Sequence, residues 1–175
     1  SWELVRLGLG SVRLEKPVPM VGEVDLVVEP DEQLIEFKYK TKSTSLCHNL
    51  EQFKLKGHGA QPLGRYDVLK DLGRIESSKR SGYAIFLTND SLYWRTGSRG
   101  NGADFSLEQG RQVAGLLQWR DSSKITSLGK DRVYPINIKG IYSCNWVEYS
   151  RVGQEVFKFL IFAILPTKDA VCGQN

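Results

Sequence analysis

Residues 23–40 limit the possible folds of this chain more than any other segment. Two runs that alternate apolar and polar residues, 23–28 and 33–40, flank the sequence Glu-Pro-Asp-Glu at 29–32. Pro and Asp are typical turn residues, and four-residue loops are common between antiparallel strands. The segment therefore predicts two short β-strands joined by a tight turn at 29–32.

The turn also sets the register of the two predicted strands. With the turn at 29–32, Val28 pairs with Gln33, and counting back along both strands places Asp25 opposite Glu36. Directly opposed residues project from the same face, with Cβ atoms about 4.5–5.5 Å apart. Because strand side chains alternate between faces, Lys38 shares the face of Glu36.

This face carries a candidate site for hydrolysis of a phosphodiester bond. Two neighbouring carboxylates, Asp25 and Glu36, repel each other unless a cation lies between them. Carboxylate oxygens suit a hard divalent ion such as Mg²⁺. The Lys38 ammonium, one pleat along, is placed to hold a water molecule or a phosphate oxygen.

The same residues resemble the signature of a known superfamily. Asp25, ten intervening residues and Glu36-Phe37-Lys38 in a hydrophobic hairpin are similar to the motif of the PD-(D/E)xK nucleases. Val24 precedes Asp25, where the eponymous pattern has proline. The resemblance implies the restriction-endonuclease-like fold, an α/β fold with a central mixed β-sheet flanked by helices. This chain would add further strands at its C-terminal end.

The resemblance also implies an activity and a set of site residues. It implies a metal-dependent nuclease in which Asp25, Glu36 and the backbone carbonyl of Phe37 bind Mg²⁺ or Mn²⁺. Lys38 would orient or help deprotonate the attacking water, and Glu3 in the N-terminal segment is a further candidate ligand. The expected partner is nucleic acid, with DNA the expected substrate, and a homodimer is compatible with the resemblance.

Three alternatives use the same residues differently. The first is an exposed hairpin in which Asp25 and Glu36 form cross-strand salt links with Lys38 and Lys40. The second is a catalytically inactive module of the same fold that binds nucleic acid or protein. The third is a nuclease toxin, for which a neighbouring immunity gene would be the telling observation.

Positive charge is concentrated just after the candidate strand. The chain has a net charge of +4, and residues 36–80 contain ten Lys and Arg residues against five acids. Such a surplus suits a nucleic-acid backbone. Alternatively, the basic residues of this segment pair with its own acids, Asp67 and Asp71. The candidate nucleic-acid-binding residues are Lys40, Lys42, Arg65 and Arg99.

Length and composition predict an ordinary globular protein. The 175 residues predict a single domain, 1–175. The longest apolar run, 159–165, is too short to span a bilayer, so no membrane association is expected. Three scattered cysteines without a Cys-x-x-Cys pair favour free thiols and a reducing, cytoplasmic location.

Periodicity predicts the remaining elements. The predicted helical segments are 2–9, 43–55 (helical or half-ordered), 62–78 and 106–119. The predicted strands outside the hairpin are 12–18, 83–88, 133–138, 141–149 and 156–165. Gly140 is expected to separate two of these strands, and Pro135 favours an edge position. This order of elements fits a mixed sheet flanked by helices.

Overall fold

The computed structural model of this protein describes residues 10–95, 100–128 and 130–166. These residues form ten strands, one α-helix and four short 3₁₀ helices. The strands are β1 (Val12–Val18), β2 (Gly22–Val28), β3 (Gln33–Lys40), β4 (Thr44–His48), β5 (Glu51–Leu55), β6 (Gly82–Thr88), β7 (Gln112–Leu117), β8 (Ile136–Ser143), β9 (Val147–Val152) and β10 (Glu155–Ile164). The helix, α1, spans Gln61–Ser77 between β5 and β6.

Six of the strands form one mixed sheet. Its order is β1-β2-β3-β6-β10-β9, and β4–β5 and β7–β8 form two separate two-stranded sheets. β3 and β6 run parallel, while the other neighbours in the large sheet are antiparallel. The connection from β3 to β6 contains the β4–β5 hairpin and α1, as a parallel crossover requires a long connection.

The core lies between α1, one face of the large sheet and β8. The helix predicted at 62–78 is confirmed as α1, and it carries a buried apolar stripe: Tyr66, Leu69, Leu72 and Ile75 are at most 2% exposed. They belong to the same buried cluster as side chains of β6 and β8. Each such aliphatic side chain stabilises the fold by about 1.5–3 kcal/mol. Pro62, in the first turn of α1, suits a helix N-terminus.

The predicted hairpin is confirmed, together with its register. The turn occupies residues 29–32, and Val28 pairs with Gln33. Strand 12–18 has the predicted bounds, and β6 begins one residue earlier than predicted. The coarse fold class is therefore confirmed as mixed α/β with a core that is mostly sheet.

The prediction of a helical segment at 43–55 is wrong, since this segment forms the β4–β5 hairpin. Asn49 and Leu50 have φ of 50° and 67°. Positive φ at both central residues is typical of a two-residue hairpin turn, and Asn tolerates it. Leu46 and Phe53 are cross-strand partners rather than members of one helix face.

The prediction of a helix at 106–119 is also wrong. Gly110 and Gly115 have φ of 81° and 74°, which no right-handed helix contains. Residues 112–117 instead form β7, paired with β8. The expected break at Gly140 is likewise wrong, because β8 continues through it. Pro135 directly precedes β8, at a position where a strand tolerates proline.

Two further features concern the chain as a whole. Cys47 is an exposed free thiol and Cys144 a buried one. Cys172 and the predicted helical segment 2–9 lie outside the described residues. Over the described part of the chain, α1 is too short and too polar to cross a membrane, and there is no other α-helix.

Candidate active site

The β2–β3 hairpin brings Asp25 to the middle of β3. Backbone pairing between the strands is described from Val28–Gln33 to Leu26–Ile35. The next pair in this register would be Asp25 and Glu36. Here the Asp25 side chain, rather than the backbone of β2, accepts the hydrogen bond: its Oδ2 lies 2.7 Å from the Phe37 amide nitrogen.

This contact also orients the Phe37 carbonyl. The N–H and C=O of one strand residue point to the same side of the strand. The Phe37 carbonyl therefore faces the side on which Asp25 lies, while its side chain is 48% exposed. The Asp25 carboxylate and the Phe37 carbonyl thus share the edge of β3 that is nearest to β2.

Glu36 is a buried acid on the core side of β3. It is 3% exposed, and its Oε1 lies 3.0 Å from Nη2 of Arg74. That contact is an ion pair without hydrogen-bond geometry, since Glu36 Oε1 has no hydrogen-bond partner among the described residues. Burial and the neighbouring Asp71 raise the pKa of Glu36 to about 7, against the opposing charge of Arg74. The charge of Asp25 contributes to this rise in the pKa of Glu36 and that of Lys38 opposes it, so Asp25, Glu36 and Lys38 interact electrostatically.

Lys38 is paired with an acid from α1. Its Nζ lies 2.8 Å from Oδ2 of Asp71, which is only 4% exposed. Burial alone would lower the pKa of Lys38, but Asp71 and, more weakly, Glu36 and Asp25 raise it above its usual value. Lys38 is therefore an ammonium at neutral pH. Burial raises the pKa of Asp71, and the charge of Lys38 opposes that shift.

Arg74 joins these groups together. Its Nη1 donates to Oδ1 of Asp71 at 3.1 Å. Its Nε and Nη2 donate to the carbonyls of Val21 and Glu23 at 3.0 and 2.6 Å. The guanidinium thus connects α1 to the start of β2 while facing Glu36. We call Glu36, Lys38, Asp71 and Arg74 the charged cluster.

Sequence reasoning missed Asp71 and Arg74 as members of the site. One of the two alternatives for this segment was that its basic residues pair with Asp67 and Asp71, and Arg74 does pair with Asp71. The signal that was available is their spacing, because residues three apart lie on one face of a helix. Asp67 pairs with Arg132 instead, at 2.6 Å between Oδ1 and Nε.

The predicted nucleic-acid-binding residues lie in different environments. Lys40 is half-buried, two residues beyond Lys38 on β3. The Nζ of Lys42 is 3.0 Å from Oε1 of Glu155. Arg65 is 6% exposed and donates to the Leu92 carbonyl at 2.5 Å, which counts against contact with a nucleic-acid backbone. Glu3 and Arg99 lie outside the described residues.

The residues present fit a magnesium ion that keeps part of its water shell. Among the described residues, no group of three or more His, Cys, Asp or Glu side chains could hold a metal ion. Mg²⁺ is, however, usually bound by one or two carboxylates together with water and substrate phosphate. Asp25, Oε1 of Glu36 and the Phe37 carbonyl would supply such oxygens. Oε1 of Glu36 has no hydrogen bond among the described residues, although it forms an ion pair with Arg74.

The fold and site together define a mixed α/β protein with an acid–lysine site between a hairpin and a crossover helix. Scans against protein-family models, curated proteins and solved structures find no match to this chain. Evidence about function comes therefore from the residues of the site and their geometry.

Proposed function

We propose that this protein is a metal-dependent nuclease that hydrolyses phosphodiester bonds of nucleic acid, with DNA the expected substrate. The observation that carries the proposal is Glu36, a buried carboxylate beside Asp25 and Lys38 with an oxygen that has no hydrogen bond among the described residues. Perturbed acids with a specific charge partner are typical of functional sites. This combination suits a site in which the acids bind a cation and the lysine binds a phosphate.

Asp25, Glu36 and the Phe37 carbonyl would hold Mg²⁺ or Mn²⁺. A metal bound there supplies a more acidic water and stabilises charge on the leaving oxygen. The hydrogen bond from the Phe37 amide fixes the Asp25 carboxylate toward β3. With the cation between them, the ionised carboxylates of Asp25 and Glu36 would no longer repel each other.

Lys38 would act on the phosphate and on the attacking water. Its ammonium offsets negative charge that develops at phosphorus and is held near the acids by Asp71. Arg74 is a positioning residue, because it keeps Asp71 and the start of β2 in place. The products, by the resemblance, would be a 5′-phosphate and a 3′-hydroxyl.

A second candidate function is a binding module without turnover. It is favoured by the internal pairing of the charged cluster, in which Glu36 faces Arg74 and Lys38 faces Asp71. Such pairs are typical of a structural ionic network as well as of an active site. The binding module predicts affinity for nucleic acid without metal-dependent cleavage.

The test is a cleavage assay with matched variants. Purified protein is incubated with supercoiled plasmid, linear duplex DNA, single-stranded DNA and RNA, each with Mg²⁺, Mn²⁺ or EDTA. Glu36→Ala and Lys38→Ala are compared with Glu51→Ala and Lys54→Ala, which remove exposed charges of the same type on β5. We expect metal-dependent cleavage that the first two variants reduce by about 100-fold or more and the controls retain.

The outcomes separate the two candidate functions. Metal-dependent cleavage that both Glu36→Ala and Lys38→Ala retain would show that the site is assigned to the wrong residues. Absence of cleavage on every substrate, with binding intact, would replace the nuclease by the binding module.

A further inference from the structure

A second candidate site lies beyond the carboxyl ends of the parallel strands β3 and β6. It is a pocket of about 340 Å³, distinct from the charged cluster. Lys42 follows β3 and Asn89 follows β6, and both line it. Ligands of open α/β sheets commonly bind outside the carboxyl ends of the strands, so the position itself favours binding.

The pocket has a surplus of positive charge. Two of its basic residues are compensated: Lys42 pairs with Glu155 at 3.0 Å, and Arg151 pairs with its neighbour Glu148 on β9 at 3.0 Å. The other two, Arg95 and Lys158, have no ion pair with a described residue. Two cationic side chains therefore face the pocket without a carboxylate partner, which favours an anionic ligand.

The floor of the pocket is held rigidly. Asn89 is 3% exposed, and its Oδ1 accepts a hydrogen bond from the Lys42 amide at 2.9 Å. Glu155 accepts hydrogen bonds from Thr44 and from the Asn89 amide group, both at 3.3 Å. A rigid floor lowers the conformational cost of binding a ligand.

One wall of the pocket is aromatic. Trp94 packs on Trp146 with ring centroids 5.7 Å apart. The Nζ of Lys158 lies 5.5 Å from the centroid of the Trp94 ring. An indole face and an ammonium at one place can accept a base and its phosphate respectively, a combination typical of single-strand binding.

The sheet register connects this pocket to the charged cluster. Lys40 on β3 pairs with Thr88 on β6, which pairs with Lys158 on β10. Residues paired in this way project from one face, so Lys40 and Lys158 lie in one row with Cα atoms about 10 Å apart. Lys38 is one pleat from Lys40 on the same face, about 7 Å along the strand. A row of ammonium groups thus leads from the acids to the pocket.

We propose that this pocket binds one nucleotide of a single-stranded segment adjoining the scissile phosphate. Its base stacks on Trp94, and its phosphate is bound by Arg95 and Lys158. The inference rests on the proposed nuclease function for the identity of the strand. The segment is single-stranded because a base must leave its pairing partner in order to stack on a side chain.

The test measures binding separately from cleavage. Fluorescence anisotropy in EDTA compares a labelled single-stranded oligonucleotide with a blunt duplex, and unlabelled dTMP and inorganic phosphate are added as competitors. Arg95→Ala combined with Lys158→Gln is compared with Arg120→Ala, which removes an exposed charge elsewhere. We expect the double variant to lose at least about 10-fold in single-strand affinity. Its slope of log affinity against log salt should fall by about 0.7, since the two side chains bind one phosphate and each neutralised phosphate on a single strand contributes about 0.7.

A second pair of variants tests the aromatic wall. Trp94→Leu is expected to weaken single-strand binding by at least about 5-fold, whereas Trp94→Phe keeps a ring and most of the affinity. Circular dichroism and thermal unfolding identify any variant that fails to fold. Arg95→Ala alone changes an exposed side chain, so its single-strand affinity tests the pocket even if a Trp94 variant does not fold.

The outcomes keep this inference and the proposed function apart. Loss of single-strand affinity in the double variant, in a protein that cleaves nothing, would support the pocket and overturn the nuclease. Unchanged single-strand affinity in an active nuclease would overturn the pocket alone. Equal competition by dTMP and by the oligonucleotide would also overturn it, because the pocket would then bind free nucleotides.

Discussion

Glu36 on β3 and Glu76 on α1 are both buried carboxylates, and their surroundings differ in kind. Glu76 is 6% exposed and accepts hydrogen bonds from the amides of Lys139 and Gly140 at 2.7 and 2.6 Å. The Tyr142 hydroxyl donates a third at 3.0 Å. Glu36 forms an ion pair with Arg74, and its Oε1 has no hydrogen bond among the described residues.

The difference separates a structural carboxylate from a candidate functional one. The donors of Glu76 come from β8, so this acid ties the end of α1 to that strand and satisfies two partly buried backbone amides in doing so. Oε1 of Glu36 accepts no such hydrogen bond from a described residue, and burial of this side chain disfavours its charged form. Acids with a strongly perturbed pKa are typical of functional sites and also occur in structural ionic networks.

The largest expected effect concerns activity. Glu36→Gln removes the charge while keeping the size of the side chain, and we expect cleavage to fall by about 10²- to 10⁴-fold. Glu76→Gln is the matched control, assayed at a temperature where it remains folded, and its kcat/KM should stay within a few-fold of the parent. Equal losses in both variants would show that the two acids do not differ in function.

The next effect concerns stability and falls on the other acid. Glu76→Ala leaves two backbone amides and one hydroxyl without their acceptor. Each buried unsatisfied donor costs about 1 kcal/mol or more, so the free energy of unfolding should fall by about 3 kcal/mol. Urea unfolding at pH 8 measures it. A loss below about 1 kcal/mol would mean that water replaces the carboxylate and that Glu76 is not structural.

The parts of this comparison that sequence could predict are local. The turn at 29–32 and the alternation beside it depend on neighbouring residues, and they were enough to place Asp25 near Glu36. The α1 stripe depends on periodicity and was equally accessible. Both features are decided within about twenty residues, where turn chemistry and side-chain period dominate.

The rest depends on contacts between distant segments. Residues 112–117 become β7 because they pair with residues 136–143. The local sequence of 112–117 does not predict that pairing. Asp71 and Arg74 meet Glu36 only after the crossover folds α1 onto β3. The same holds for Glu76, whose donors lie more than sixty residues away.

The third prediction uses pH to separate the acids. The folded pKa of Glu36 is about 7, above its usual 4.5, so the folded state binds its proton more tightly than the unfolded chain does. The free energy of unfolding should therefore fall as pH rises from 4.5 to 7, by up to about 3 kcal/mol at 1.36 kcal/mol per pKa unit. In Glu36→Gln this loss disappears.

The measurement is urea unfolding in EDTA from pH 4 to pH 8. Glu36→Gln should match the parent near pH 4 and exceed it in stability near pH 8. The opposite sign at pH 8 would mean that ionised Glu36 stabilises the fold through Arg74, and the contrast with Glu76 would then disappear.

The smallest expected effect concerns the way Arg74 holds Glu36. Arg74→Lys keeps the positive charge but loses the guanidinium fork that reaches the Val21 and Glu23 carbonyls. A lysine cannot replace several fixed donors at once, so the free energy of unfolding should fall by about 1 kcal/mol.

The Arg74 charge also lowers the pKa of Glu36. If the ammonium of the substituted lysine moves away from Glu36, that pKa should rise above its present value, as NMR titration of the side-chain carboxyl would measure. Arg80→Lys, at a partly exposed pair with Glu32, is the matched control and should change stability by no more than about 0.5 kcal/mol. If Arg74→Lys changes neither stability nor the Glu36 pKa, charge alone is sufficient at this position, and Glu36 is balanced by any nearby cation rather than by the geometry of Arg74.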